Sequence, residues 1–139
     1  QDNVPAVGSL ESIDKLKELL SISSYHSMLL LDKNVIGFSI CFREGTSYWS
    51  ENYKYFAQGL KSFLYIDRIA IDQNYRRKGL GKSMYKDIFS NAHQENLRVT
   101  AEVNTKPMNQ ISLDFHNHMG FEQIGERQFD NHDVVYLIK

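Results

Sequence analysis

Residues 63–83 run Phe63-Leu64-Tyr65-Ile66-Asp67-Arg68-Ile69-Ala70-Ile71, then Asp72-Gln73-Asn74-Tyr75, then Arg76-Arg77-Lys78-Gly79-Leu80-Gly81-Lys82-Ser83. The first segment is rich in strand formers and predicts a strand over 62–72. The turn that follows is Gln73-Asn74-Tyr75. The third opens a helix that reaches about Gln94, with Leu80, Met84, Ile88 and Ala92 on one stripe and Tyr85 and Phe89 beside it. Gly79 and Gly81 let a backbone approach a ligand without a Cβ in the way. The helix start offers unpaired N–H groups and a positive dipole end to an anion. Arg76, Arg77, Lys78 and Lys82 add formal positive charge. The combination suits a diphosphate.

Two familiar diphosphate loops are excluded. A dinucleotide fingerprint needs a small residue three after the second glycine, where Met84 stands. A P-loop needs a glycine five residues before the second, where Arg76 stands. The plain alternative is a basic turn that only starts a helix.

Outward from this stretch, the pattern is strands, then strand–helix–strand, helix, strand, strand. Leu10, Ile13, Leu16, Leu19 and Leu20 recur at helical spacing over residues 9–21, with Ser9 and Ser12 as cap candidates. Residues 27–31 and 35–42 form a hairpin about the turn Asp32-Lys33-Asn34. Residues 43–61 show no clean period and read as a long loop, with room for a short helix; long loops in compact domains are often functional. Strands follow at 97–103, 121–127 and 134–138, the last two joined by Asp130-Asn131-His132-Asp133, with a helix at 109–118 that Gly120 ends. The expectation is one domain over residues 1–139, built on a mixed, mostly antiparallel central sheet with flanking helices.

The chain has 139 residues, 42% hydrophobic and 12% aromatic, with 16 Lys plus Arg against 17 Asp plus Glu. A net charge of -1 argues against bulk nucleic-acid binding, leaving Arg76-Arg77-Lys78 as the sole support for it. No apolar run approaches the ~18–20 residues of a membrane span. The single cysteine, Cys41, fits a reducing compartment, so a cytoplasmic location is expected. It has no nucleophile's partner pattern and reads as a buried strand residue. His116-x-His118 is no metal pair, since residues two apart on a helix diverge, and His26, His93 and His132 are scattered, so no metal is expected.

Residues 63–83, with the apolar pair Ile69 and Ile71 ahead of Arg76-x-x-Gly79-x-Gly81, resemble motif A of the GNAT superfamily, the Gcn5-related N-acetyltransferases. A second stretch, Asn109-x-x-Ser112-x-x-Phe115-His116-x-x-x-Gly120-Phe121, resembles that family's second motif, a helix ending in Gly-Phe. The resemblance spans about residues 27–138. It implies a GNAT-like fold, acetyl-CoA as donor, and direct transfer to a small-molecule or peptide amine in a ternary complex, by a monomer or homodimer. It implies that backbone groups of Ile69, Ala70 and Ile71 pair with the pantetheine arm. Amides of Arg77, Lys78, Gly79, Leu80, Gly81 and Lys82 would hold the pyrophosphate beside Arg76, with Asn109 and Ser112 near the pantetheine and nucleotide end. The family usually opens with a strand and a helix before the helix at 9–21, so a truncated or shortened N-terminus is expected. Many members carry Tyr where His116 stands, to protonate the leaving thiolate.

Transfer to an amine needs a base, a polarised thioester carbonyl and a proton for the thiolate. Asp67, two residues before Ile69, is expected on the same strand face and is either the base or an ion-paired residue. Glu102 sits mid-strand between apolar neighbours and either serves the amine or its proton relay, or pairs with a cation such as Arg68. His116 is either the acid or a helix-surface or capping histidine. Tyr65 lines the acceptor pocket or packs the core. Trp49 and Tyr53, with Tyr48, Tyr55 and Phe56, cage an amine or pack as a lid or dimer contact. The competing class is a non-catalytic acyl-CoA-binding module that kept the loop and lost the acid.

Overall fold

The structure, a computed structural model, describes residues 10–139. In chain order the elements are α1 (Ile13–Ile22), β1 (Tyr25–Leu31), β2 (Asn34–Arg43), α2 (Glu51–Gly59), β3 (Leu64–Ile71), α3 (Leu80–Gln94), β4 (Val99–Lys106), α4 (Gln110–His118), β5 (Glu122–Gln128) and β6 (Asp133–Ile138). The strands form one sheet in the order β1-β2-β3-β4-β6-β5. Neighbours are antiparallel except β3 and β4, which are parallel. This is the mixed, mostly antiparallel α/β architecture the element order implies.

Local chemistry explains most boundaries. The Ser12 hydroxyl accepts from the Lys15 amide and caps α1; Ser9, the other cap candidate, lies outside the described residues. Asp32 and Lys33 both adopt positive φ, the backbone of a primed hairpin turn between β1 and β2. Residues 51–59, expected to be mostly loop, form α2. Ser50 caps it through the Tyr53 amide, and Tyr53 and Phe56 are its buried pair. A helix that buries two residues one turn apart leaves little periodic trace in sequence.

Strand alternation sorts the core into two layers. Leu64 and Ile66 of β3 face α3 and α4 with Tyr85, Ile88, Ala101, Val103, Val135 and Leu137. Phe63 and Tyr65 face the other way with Leu19 of α1, Tyr53 and Phe56 of α2, and Phe42, Val134 and Tyr136.

Two irregularities in β3 make the cleft. Ile66 pairs with Cys41 and Arg68 with Ile40, which leaves Asp67 as an extra, bulged residue. In addition, β3 pairs with β4 only at Leu64↔Val99 and Tyr65↔Thr100. Beyond these pairs the strands part, and the gap opens on both faces of the sheet.

Candidate active site

The parted strands form a cleft of about 930 Å³. On the α3/α4 side its walls include Ile69, Ile71, Arg76, Gly81, Tyr85, Asn109, Ser112 and His116. On the α2 side they include Tyr48, Trp49, Asn52, Asp67 and Glu102, with Phe129 and His132 from the β5–β6 hairpin.

The loop before α3 has the backbone features that suit an anion. Arg77 and Gly79 both take positive φ, and Gly79 caps α3 in the left-handed region without any side-chain hydrogen bond to the first-turn amides. A Cβ at Gly79 would meet nothing within 4 Å, and one at Gly81 would meet Ile71 Cδ1 at 3.7 Å. Neither glycine therefore relieves a packing clash: Gly81 lines the cleft without a side chain, and Gly79 is favoured by its positive φ. Arg76 donates from Nε to the Ile71 carbonyl at 3.0 Å, tying the loop to the end of β3. These features fit the diphosphate of a nucleotide-bearing donor such as acetyl-CoA.

On the α2 side two carboxylates line the cleft within electrostatic reach of each other. Tyr48 donates to Asp67 Oδ1 at 2.6 Å. Arg68 Nε lies 3.1 Å from Asp67 Oδ2, an ion pair without the alignment of a hydrogen bond. Glu102 hydrogen-bonds with Tyr65 and Asn52, and Asn52 in turn accepts from Tyr136 at 3.0 Å. Glu102 Oε2 is buried and makes no hydrogen bond among the described residues. Burial pushes the Glu102 carboxyl up to about 8, and the Asp67 charge adds to the rise against its hydrogen-bond partners. Burial also raises Asp67, opposed by Tyr48 and Arg68. A strongly perturbed carboxyl in a cleft, with a second acid beside it, is a candidate proton-transfer site.

On the opposite side His116 is buried. Its Nδ1 lies 2.7 Å from the Ser112 carbonyl, which only accepts, so Nδ1 carries a hydrogen. Nε2 lies 2.7 Å from the Tyr85 hydroxyl. Burial lowers the His116 pKa, against the Ser112 hydrogen bond.

The structure revises several sequence expectations. The bulge breaks the alternation between Asp67 and Ile69: Ile69 packs toward α3 and α4, whereas Asp67 meets Tyr48 on the α2 side. Tyr65 is wholly buried beneath Glu102 and forms no part of the cleft wall. Tyr53 is likewise core; its hydroxyl donates to the Arg43 carbonyl and accepts from the Thr46 amide, ordering the loop that carries Tyr48 and Trp49. Trp49 does reach the cleft and is 64% exposed. Ile69, Ile71, Arg76, Gly81, Asn109 and Ser112 line it; Ala70, Arg77, Lys78, Gly79, Leu80 and Lys82 lie outside its immediate wall. His116 is neither a surface nor a capping residue. Cys41 is buried, which pushes its thiol pKa up and leaves it protonated.

Sequence reading missed Asn52, because α2 gave no clear period. The helical stripe marks Tyr85 as a core residue, and the structure places it also on the cleft wall, one turn after Gly81 on the same helix. Among the described residues no group of three or more His, Cys, Asp or Glu is arranged to hold a metal ion. None of the helices there is long and apolar enough to cross a membrane.

The sheet thus parts between its parallel central strands, with the glycine loop that opens α3 on one side of the gap and Glu102 and Asp67 on the other. Residues 6–121 match the family described as acetyltransferase (GNAT) family, and the chain belongs to that family. A sequence comparison with curated proteins returns no match. Solved structures with the same fold include the ribosomal-protein-S18-alanine N-acetyltransferase from Escherichia coli, at 14% identity and TM-score 0.72, covering 96% of this chain and 79% of that one. Arabidopsis thaliana Naa50 in complex with the bisubstrate analogue CoA-Ac-MVNAL matches at 15% identity and TM-score 0.70, over 94% of this chain and 82% of that one. A GNAT family acetyltransferase from Elizabethkingia anophelis with acetyl-CoA bound matches at 14% and 0.66, over 91% and 82%.

Proposed function

We propose that the chain is an N-acetyltransferase that moves an acetyl group from acetyl-CoA to a primary amine by direct transfer in a ternary complex. The observation that carries this reading is the two-sided cleft, with an anion loop on the α3/α4 side and Glu102 beside Asp67 on the α2 side. Acetyl-CoA enters with its diphosphate on the first turn of α3, next to Arg76, Arg77, Lys78 and Lys82. Its arm runs along the free edge of Ile69, Ala70 and Ile71, past Asn109 and Ser112. The amine enters on the α2 side beside Trp49. The amine attacks as its free base, its ammonium proton having gone to solvent, and Glu102, coupled to Asp67, takes the proton that the nitrogen sheds as it bonds to carbon. The nitrogen attacks the thioester carbonyl, the C–S bond breaks with its electrons on sulfur, and the thiolate takes a proton on the His116 side.

A peptide terminus belongs among the amines to test, since Naa50 is bound to a peptidyl bisubstrate analogue. The assay is release of free CoA thiol from acetyl-CoA, with the peptide MVNAL and with a panel of small primary amines. Amine-dependent release supports the reading. Tight CoA binding without release on any amine favours a non-catalytic acyl-CoA-binding module, and absence of CoA binding sinks both.

A further inference from the structure

The acid side of the cleft holds a pair of groups. Tyr85 and His116 both line the wall, and His116 Nε2 lies 2.7 Å from the Tyr85 hydroxyl. The Ser112 carbonyl fixes the tautomer from the other side. In the neutral imidazole Nε2 therefore accepts from Tyr85, so the imidazole has no proton to offer the cleft and Tyr85 presents its oxygen lone pairs instead. Protonation reverses the bond: Nε2–H donates to the Tyr85 oxygen, and the tyrosine's own hydrogen is released to point elsewhere. Phe115 and Phe121 pack edge-on against both rings and hold them in place. The hydroxyl lies on α3, the helix whose start would hold the donor, one turn beyond Gly81.

We propose that Tyr85 is the group that touches the donor's sulfur and that His116 acts through it, as a positioning residue and proton source. The proposal rests on the acetyl-CoA reading of the cleft. As the C–S bond breaks, the sulfur takes the Tyr85 hydroxyl proton. The Tyr85 oxygen takes the Nε2 proton of the imidazolium, and solvent returns a proton to His116. In the product state the neutral pair accepts a hydrogen bond from the S–H of CoA. Other titratable groups whose charge reaches Tyr85 are Cys41 on β2 and Glu102 on β4.

The test needs no acceptor. Affinities of CoA and of desulfo-CoA, which carries hydrogen in place of the thiol, are measured by calorimetry from about pH 7.5 down to the lowest pH at which the protein stays folded. The unaltered protein is expected to prefer CoA by roughly threefold to tenfold, the worth of one ordinary hydrogen bond. Tyr85→Phe, which keeps the ring packing, should bind both alike. The wild-type preference should change with pH as the pair reverses, and His116→Gln should make it pH-independent. Equal wild-type affinities, or a preference retained in Tyr85→Phe, overturn the role of Tyr85. A wild-type preference constant with pH overturns that of His116. Binding of neither ligand to the wild type instead overturns the donor-site reading beneath the proposal.

Discussion

Glu102 sits where two demands conflict. Its neighbours on β4, Ala101 and Val103, are core, yet its own carboxyl turns to the α2 side with one oxygen unbonded among the described residues. The folded chain holds the Glu102 proton up to about pH 8, while the unfolded chain gives it up near the ordinary value of 4.5. The stability this adds is full below the ordinary value and is lost as pH rises through about 8. His116 runs the other way: its lowered value adds stability above the ordinary 6.5 that is lost on acidification. From about pH 7 to about pH 8.5 the Glu102 term dominates of the two. Wild-type melting temperature should therefore fall across that range, and Glu102→Gln should flatten the slope; an unchanged slope would reassign the proton. If Glu102 is the base, the same variant should lose about 10²–10⁴-fold in kcat. Glu102 was legible in the sequence because a carboxylate between core residues needs a reason. The facing of Asp67 was not, since one inserted residue in β3 reverses every later side chain and leaves no compositional mark.

At the scale of elements, α2 braces one wall of the cleft. Its first turn supplies Asn52 to Glu102, Tyr55 stacks on Tyr136 with ring centroids 3.8 Å apart, and Arg127 of β5 reaches Glu51 at 3.5 Å. That stack presses on Gly125, where an added Cβ would collide with the Tyr55 hydroxyl and ring. Gly125→Ala should destabilise the fold by about 1–3 kcal/mol, read as a drop in melting temperature. Unchanged stability would mean that Tyr55 swings away freely. Ser50→Ala removes the α2 cap and should cost about 1 kcal/mol. The strands, α3 and α4 could be read from pattern because each buries a long stripe; α2 could not, because most of its nine residues face outward.

For the whole molecule, the sheet is two antiparallel halves, β1-β2-β3 and β4-β6-β5. A donor bound across the gap should add stability through mass action, about 2.7 kcal/mol at a hundredfold excess over Kd. Gly81→Arg places a long side chain where the cleft is open, and should abolish that thermal shift while leaving unliganded melting nearly unchanged. A persistent shift would place the donor elsewhere. The glycine loop and both motifs were legible because they are contiguous in sequence. The two-sidedness of the site was not, because it arises where strands stop pairing.

The parting of β3 from β4 also has a kinetic signature. Two residue pairs hold the halves together at that seam, at Leu64 and Tyr65. Past them, amides of β3 that point away from β2 have no strand to shelter them and should exchange with deuterated solvent quickly, while those bonded to β2 exchange slowly. An arm laid along that edge would slow the first set selectively. Alternate-residue protection in Ile66–Ile71 on adding CoA would thus record the ligand standing in as a strand.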